Sequence, residues 1–244
     1  ATIDDQTASK PTFEYEVAPA GFTVARLVAY IETGSQPQRA YQGQEKPDAP
    51  KVRLAFELLG KAHMTEYTAN GETKTRTNVI RVDLPLFTSD KSNYSKLFKS
   101  MRAGDETIKH MAQLLGKPFL IKVTHGKSKD GTKTYANIKE DGVWNVGPAI
   151  HTDVITNETT VLPVPEATVP LQMLLWGNPS QEQWGSIFID GSYTRTVDGV
   201  EVVQSKNFLQ EECLAASNFA GSALQAMLGG ASDVIEAMSK PAPA

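Results

Sequence analysis

The sequence predicts a mainly β fold with some helix, in which five antiparallel strands occupy the first part of the chain and a helical segment separates the third from the fourth. Three observations predict it. Apolar and polar residues alternate in several stretches before Gly147, helical spacing replaces the alternation between Asp90 and Leu115, and the turn-forming pairs Asn70-Gly71 and Asp130-Gly131 stand between alternating stretches.

Residues 1–20 carry little apolar periodicity and end in Ala18-Pro19-Ala20-Gly21, so they read as a flexible arm. The first strand sets Ala25, Leu27, Ala29 and Ile31 on one face and Arg26, Val28, Tyr30 and Glu32 on the other. A long polar loop over 34–50 contains Arg39 and Tyr41, and the second strand, 51–59, alternates Val52, Leu54, Phe56 and Leu58 with Lys51, Arg53, Ala55 and Glu57. The third follows Asn70-Gly71 at about residues 75–84. Leu97, Met101, Ile108, Met111 and Leu115 then predict two short helices that part near Gly104, the first capped by Asp90 or Ser89. Phe119, Ile121 and Val123 mark the fourth strand, and residues 133–139 return as a fifth, with Tyr135 and Asn137 opposite Thr134, Ala136 and Ile138. This order, with a long loop after strand one and a basic loop between strands four and five, is that of an OB-type barrel over residues 21–147, a fold that grips oligonucleotides with those two loops. An α+β sandwich is the competing fold, because it also accommodates helix in the middle of the chain.

The second part, 148–238, opens with a Pro-punctuated stretch over 162–170. Ser180 then caps a helix, residues 199–203 form half of a hairpin, and 205–228 is helical with a break near Gly221. The expectation is an acidic α/β extension packed on the barrel, followed by a disordered Pro/Ala-rich tail over 239–244.

The net charge of −4 over 244 residues conceals a division. Residues 1–147 carry 21 Lys and Arg against 17 Asp and Glu, whereas 148–244 carry 3 against 11, so the parts bear +4 and −8. Positive charge concentrates in residues 91–133, where 10 basic side chains face 3 acidic ones, and a phosphate backbone is the partner such a segment suits. The lone Cys213 excludes an internal disulfide, and His63, His110, His125 and His151 show no ligand spacing, so neither a metal nor a cofactor is implied. No apolar run reaches the ~20 residues a bilayer requires, and the start of the chain is polar and acidic, which predicts a soluble protein without membrane contact.

If the apolar faces fill a barrel, the opposite faces hold Arg26, Tyr30, Lys51, Arg53, Lys122, Lys133, Tyr135 and Lys139, while Arg39 and Tyr41 on the first loop and Lys127 and Lys129 on the loop between strands four and five complete a basic surface with interleaved aromatics. Single-stranded nucleic acid needs that combination, since cations meet phosphates and unpaired bases stack on rings. Surface strands also carry Lys and Arg for solubility, which explains any one of these residues better than all of them on one face. Tyr94 and Phe98 are weaker stacking candidates, and Trp144, Trp176 and Trp184 read as packing residues. No catalytic residues emerge. Gly126-Lys127-Ser128 lacks the earlier glycine of a phosphate-binding loop, because position 121 is Ile121, and no Gly-x-Ser-x-Gly elbow occurs. Asp83, Asp90, Glu140 and Asp141 have no paired spacing for a metal-dependent nuclease.

The segments 18–26 (Ala-Pro-Ala-Gly-Phe-Thr-Val-Ala-Arg), 33–36, 52–57, 174–179 (Leu-Leu-Trp-Gly-Asn-Pro), 183–191, 205–210 and 218–222 resemble a group of bacteriophage proteins encoded among replication genes. The similarity runs over most of residues 17–228. It implies a single-stranded DNA-binding or replication-accessory protein, and the expectation is a non-enzymatic single-stranded DNA-binding protein acting in phage DNA replication or recombination in the cytoplasm of the infected bacterial host. Phage or host replication proteins are its further expected partners, and a homodimer is compatible with it. Single-strand binders of replication commonly end in an acidic tail with an aromatic tip. This chain ends Lys240-Pro241-Ala242-Pro243-Ala244, so partner recruitment falls to the acidic second part. The rival readings are an interaction protein that recruits or inhibits a host factor through that acidic part, and a DNA-processing enzyme using carboxylates around Asp83 and Asp90.

Overall fold

The computed structural model describes residues 17–40, 42–69, 71–197 and 200–229. In chain order the strands are β1 (Gly21–Gln36), β2 (Ala49–Leu58), β3 (Met64–Ala69), β4 (Glu72–Pro85), β5 (Pro118–Lys127), β6 (Thr134–Asn137), β7 (Lys139–Glu140), β8 (Val143–Trp144), β9 (Val146–Pro148), β10 (Ile150–Thr152), β11 (Thr159–Val161), β12 (Gln172–Leu174), β13 (Ser192–Val197) and β14 (Val200–Ser205). The helices are α1 (Asn93–Arg102), α2 (Gln181–Ser186), α3 (Phe208–Leu214) and α4 (Ala223–Leu228). No helix among the described residues is long and apolar enough to cross a membrane.

The protein is mainly β, built on one curled antiparallel sheet in the order β3-β4-β2-β1-β5-β6. β1 is its centre. One edge of β1 pairs with β2, while the other pairs with β5 through Gly21–Arg26 and then, in parallel, with β12 through Ala29–Ile31. Beside β5, β9 and β6 divide the outer edge in the same way. β3 and β4 pair antiparallel as far as Ala69 opposite Glu72, so the third strand expected from the sequence is β4, preceded by a shorter partner, and Asn70 lies outside the described residues.

A bulge in β1 decides which residues face the core. The register runs Leu27 opposite Phe56 and then Ala29 opposite Ala55, which leaves Val28 as an extra residue. A single inserted residue reverses the facing of everything beyond it. Ala25 and Leu27 therefore point into the curl, and so does Tyr30, whereas Val28, Ala29 and Ile31 turn to the other face. The uninterrupted alternation expected for this strand is corrected at that point.

Inside the curl, Leu27, Tyr30, Leu54, Phe56, Leu58, Phe119 and Ile121 form the first core, with the Phe56 and Phe119 rings edge to face at 6.1 Å. At about 1.5–3 kcal/mol for each fully buried large side chain, this layer is the main source of cohesion. It is closed by Tyr94, Leu97 and Met101 of α1 and by Met111 and Leu114 of the following 3-10 turn. Ser92 caps α1 by accepting from Ser95 N at 3.0 Å, and the expected Asp90 pairs instead with Lys99 at 2.9 Å. The helix ends at Ala103 in the left-handed region, φ 46°, next to Gly104 at φ 86°, near the predicted break.

On the opposite face, Val28, Ala29, Ile31 and Ala55 form a second core with Leu174, Ile187, Leu209, Cys213, Ala216, Phe219 and Leu224. Two faces of the same two strands thus carry two cores, the second completed by side chains from beyond residue 170. Gly34, at φ 75°, passes so close to this layer that a Cβ there would lie 2.5 Å from the Trp176 ring, which leaves room for glycine alone.

Candidate nucleic-acid interface

The cations that the sequence places on the outer face of β1 and β2 hold the second part of the chain in place. The Arg53 guanidinium donates to Glu212 of α3 at 2.8 Å and pairs with Asp83 at 2.9 Å, and Lys51 reaches the same two carboxylates at 2.9 and 3.3 Å. Burial alone would raise the Glu212 pKa, but the hydrogen bonds and charges of Arg53 and Lys51 outweigh it and hold the carboxyl below the ordinary value. Arg26 donates to the carbonyls of Gly116, Val164 and Pro165 and pairs with Glu166 at 2.8 Å, clamping the Pro-punctuated stretch. Beside it the buried Glu57 carboxylate accepts from Thr77 Oγ1 at 2.6 Å and from Thr168 N at 3.0 Å. The outer face of these strands is therefore a docking surface within the chain, and Arg26, Lys51 and Arg53 do not lie open to a ligand.

Tyr30 is corrected most sharply. It is fully buried, donates to Glu32 Oε1 at 2.9 Å and lies 3.3 Å from the Tyr94 hydroxyl, with burial and then the Glu32 charge pushing its pKa up. A ring held this way cannot receive a base. Lys139 donates to Asn93 at 2.8 Å and lies 5.2 Å from the centre of the Trp144 ring, covering one end of the first core. Arg39 is exposed on the loop between β1 and β2, and Tyr41 lies outside the described residues. Tyr94 and Phe98 also pack on the first core, as do Trp144 on that core and Trp176 and Trp184 on the second.

What stays open is the outer face of β5 and β6 and the turn joining them. Directly opposed residues of antiparallel strands share a face, so the pairs Phe22–Lys122, Thr124–Asn137 and Gly126–Tyr135 set all six residues on one side. Phe22 is 74% exposed and Tyr135 50%. Lys122 and Gly126 are four residues apart, which separates the two rings by about 13 Å along β5. Tyr135 stands across from a glycine, so no side chain crowds it from that strand, whereas a Cβ on Gly126 would meet the Asn137 amide at 2.6 Å.

The turn is built to hold its shape. Gly131 N donates to Ser128 O at 2.9 Å, Ser128 N to Lys133 O at 2.8 Å, and Asp130 accepts from the Ser128 hydroxyl and from Thr132 N. Those bonds, the Ser128 hydroxyl first, lower the Asp130 pKa to about 2, so its carboxylate stays ionised and structural. Lys127, Lys129 and Lys133 project from this frame, exposed and without an ion pair among the described residues. Lys122 pairs with Glu140 at 3.0 Å with both side chains over two-fifths exposed. Such a pair is worth only ~0–1 kcal/mol, little enough for a phosphate to displace it.

Of the predicted residues, the fold thus brings Lys122, Lys127, Lys129, Lys133 and Tyr135 to one end of the sheet and withdraws Arg26, Tyr30, Lys51, Arg53 and Lys139 from it. The sequence reading missed Phe22. Its signal was legible, because Phe22 precedes Arg26 by four residues on the polar face of β1. Among the described residues, no group of three or more His, Cys, Asp or Glu is placed to hold a metal ion. Comparisons with protein-family models, curated proteins and solved structures return no match.

Proposed function

We propose that this protein binds single-stranded DNA without sequence preference and without catalysis, in phage DNA replication or recombination, and that its sheet is an OB-type barrel. Supporting the fold, β1, β2, β4, β5 and β6 serve as the five strands, with α1 between the third and fourth. Among the described residues β4 and β6 are not paired with each other, in keeping with the partly open barrel of that fold. One observation carries the functional reading: two exposed rings, Phe22 and Tyr135, flank Lys122 on one face, beside a rigid turn bearing three exposed lysines. Bases would stack on the rings at ~1–3 kcal/mol each while the lysines neutralise phosphates. The acidic second part gains less support as a recruiting surface, because Glu166 and Glu212 are engaged with Arg26, Lys51 and Arg53.

The test is an anisotropy titration of single- and double-stranded oligonucleotides of equal length over a range of salt. Single strands should bind more tightly, since stacking needs exposed base faces. Equal affinity for duplex would remove the stacking mechanism, and absence of binding at low salt would remove the function.

A further inference from the structure

At one end of the curled sheet two hairpins overrun the strands between them. Ala25 pairs with Leu58 and Gly21 with Val123, so the start of β1, the end of β2, the start of β4 and the end of β5 meet there. Residues 72–77 of β4, with β3 as their partner, run on past the end of β2 for about 20 Å, and residues 124–127 of β5, with β6, run about 13 Å past the start of β1. Alternation fixes what each arm turns inward, since Ile80 and Val123 both belong to the first core. On the first arm, Lys74 and Arg76 share the face of Ile80, with Tyr67 opposite Lys74 and Thr65 opposite Arg76. On the second, His125 and Lys127 share the face of Val123. Because the sheet curls toward that core, the two inner faces are turned toward each other across an open gap.

We infer, building on the DNA-binding reading above, that a single strand held on the outer face of β5 and β6 continues over their turn into the gap between the arms, where a base stacks on Tyr67 and phosphates meet Lys74, Arg76 and Lys127. Lys127 ends β5 at the turn, so the two surfaces are continuous. The first arm is open to such a ligand, with Tyr67 46% exposed and residues 65–68 and 72–76 exposed on both faces. Among the described residues Arg76 and Lys127 have no ion pair, and Glu72 is the single carboxylate on either inner face. Glu72 lies 3.7 Å from Lys74 with both side chains over two-fifths exposed, a pair weak enough for a phosphate to displace. His125 does not join them, because its Nε2 donates to Ala18 O at 2.8 Å. Lysines alone would blunt the open edge of β3, whereas a ring directly opposite a lysine adds the flat apolar surface that an unpaired base needs.

Anisotropy titrations of the full chain with oligothymidylates of increasing length test this. Wild-type affinity should rise in two stages, first as the outer face fills and again once the strand is long enough to enter the gap. Tyr67→Ala should abolish the second rise, weakening the longest oligonucleotide by roughly 5- to 100-fold and leaving the shortest one that binds unaffected, and Tyr67→Phe should restore it. Lys74→Ala/Arg76→Ala should flatten the slope of log affinity against log salt by up to about 1.4, again for long oligonucleotides only. A wild type that binds no oligonucleotide would remove the DNA-binding reading and this inference with it. A wild type that binds with a single rise, or arm variants that match it at every length, would overturn this inference alone and leave the outer face standing. An equal loss at every length would overturn it as well, since the arm would then act on the outer site instead of extending it.

Discussion

Tyr30 and Tyr135 look alike in sequence, each a tyrosine among cations on an alternating strand, and their fates are opposite. Tyr30 lies three residues beyond Leu27, past the extra residue that rotates it into the first core, whereas Tyr135 faces Gly126 on an unbulged pairing and stays half exposed. At this scale the proposed site divides its work between rings and charges. Tyr135→Ala or Phe22→Ala should weaken single-strand binding by about 1–3 kcal/mol with little change in salt dependence, since stacking releases no counterions. Changing Lys127, Lys129 and Lys133 to Ala should instead flatten the slope of log affinity against log salt by up to roughly 2, at ~0.7 for each phosphate released. Titrations at several salt concentrations separate the two effects. Wild-type affinity and slope in the lysine variant would make those lysines solvated charges only, and the site would be misplaced.

At the scale of elements, the seat of α3 on β1 and β2 explains where much of the predicted basic surface went. Sequence alternation located β1, β2, β4, β5 and the β5–β6 turn, because period two survives wherever pairing is regular. It could not locate the bulge, since Val28 is a good strand residue on either face. Nor could it tell that Lys51 and Arg53 are held by Glu212, which lies about 160 residues along the chain, a pairing that only the tertiary fold creates. The outcome has a pH signature. The folded-state pKa of Glu212 is lowered, so its ion cluster stabilises the fold fully above the unfolded carboxyl value, and that contribution is lost as pH falls through the folded pKa. Glu212→Gln leaves Lys51 and Arg53 with Asp83 as their one remaining shared carboxylate and should cost about 1–3 kcal/mol at neutral pH, discounted for the partial exposure of both cations. The difference in melting temperature between variant and wild type should shrink in acid. A difference that is constant with pH would show that the Glu212 charge contributes nothing.

Across the whole molecule, the opposite charges of the two parts, +4 and −8, are used partly against each other, and the apolar layer beneath them binds more strongly than the ion pairs do. Leu174, Ile187, Leu209, Phe219 and Leu224 close over Val28, Ala29, Ile31 and Ala55, and β12 adds a strand beside β1. At ~1.5–3 kcal/mol for each large side chain, this layer is comparable with the ~5–15 kcal/mol that stabilises a typical protein. Neither part should therefore stand alone, and a chain cut after Gly147 is expected to expose that face and aggregate.

Cys213 reports on the same layer in the intact protein. It is fully buried, and burial, followed by the neighbouring Glu212 charge, pushes its thiol up to about 12, so the reactive thiolate is both inaccessible and scarce at neutral pH. If the two cores open together, alkylation of Cys213 should follow the same denaturant dependence as the fluorescence of Trp144, which lies in the first core, isolated by replacing Trp176 and Trp184 with Phe. Labelling at the rate of a free thiol in native buffer, or at clearly lower denaturant than the Trp144 transition, would mean that the second part lifts off the sheet on its own.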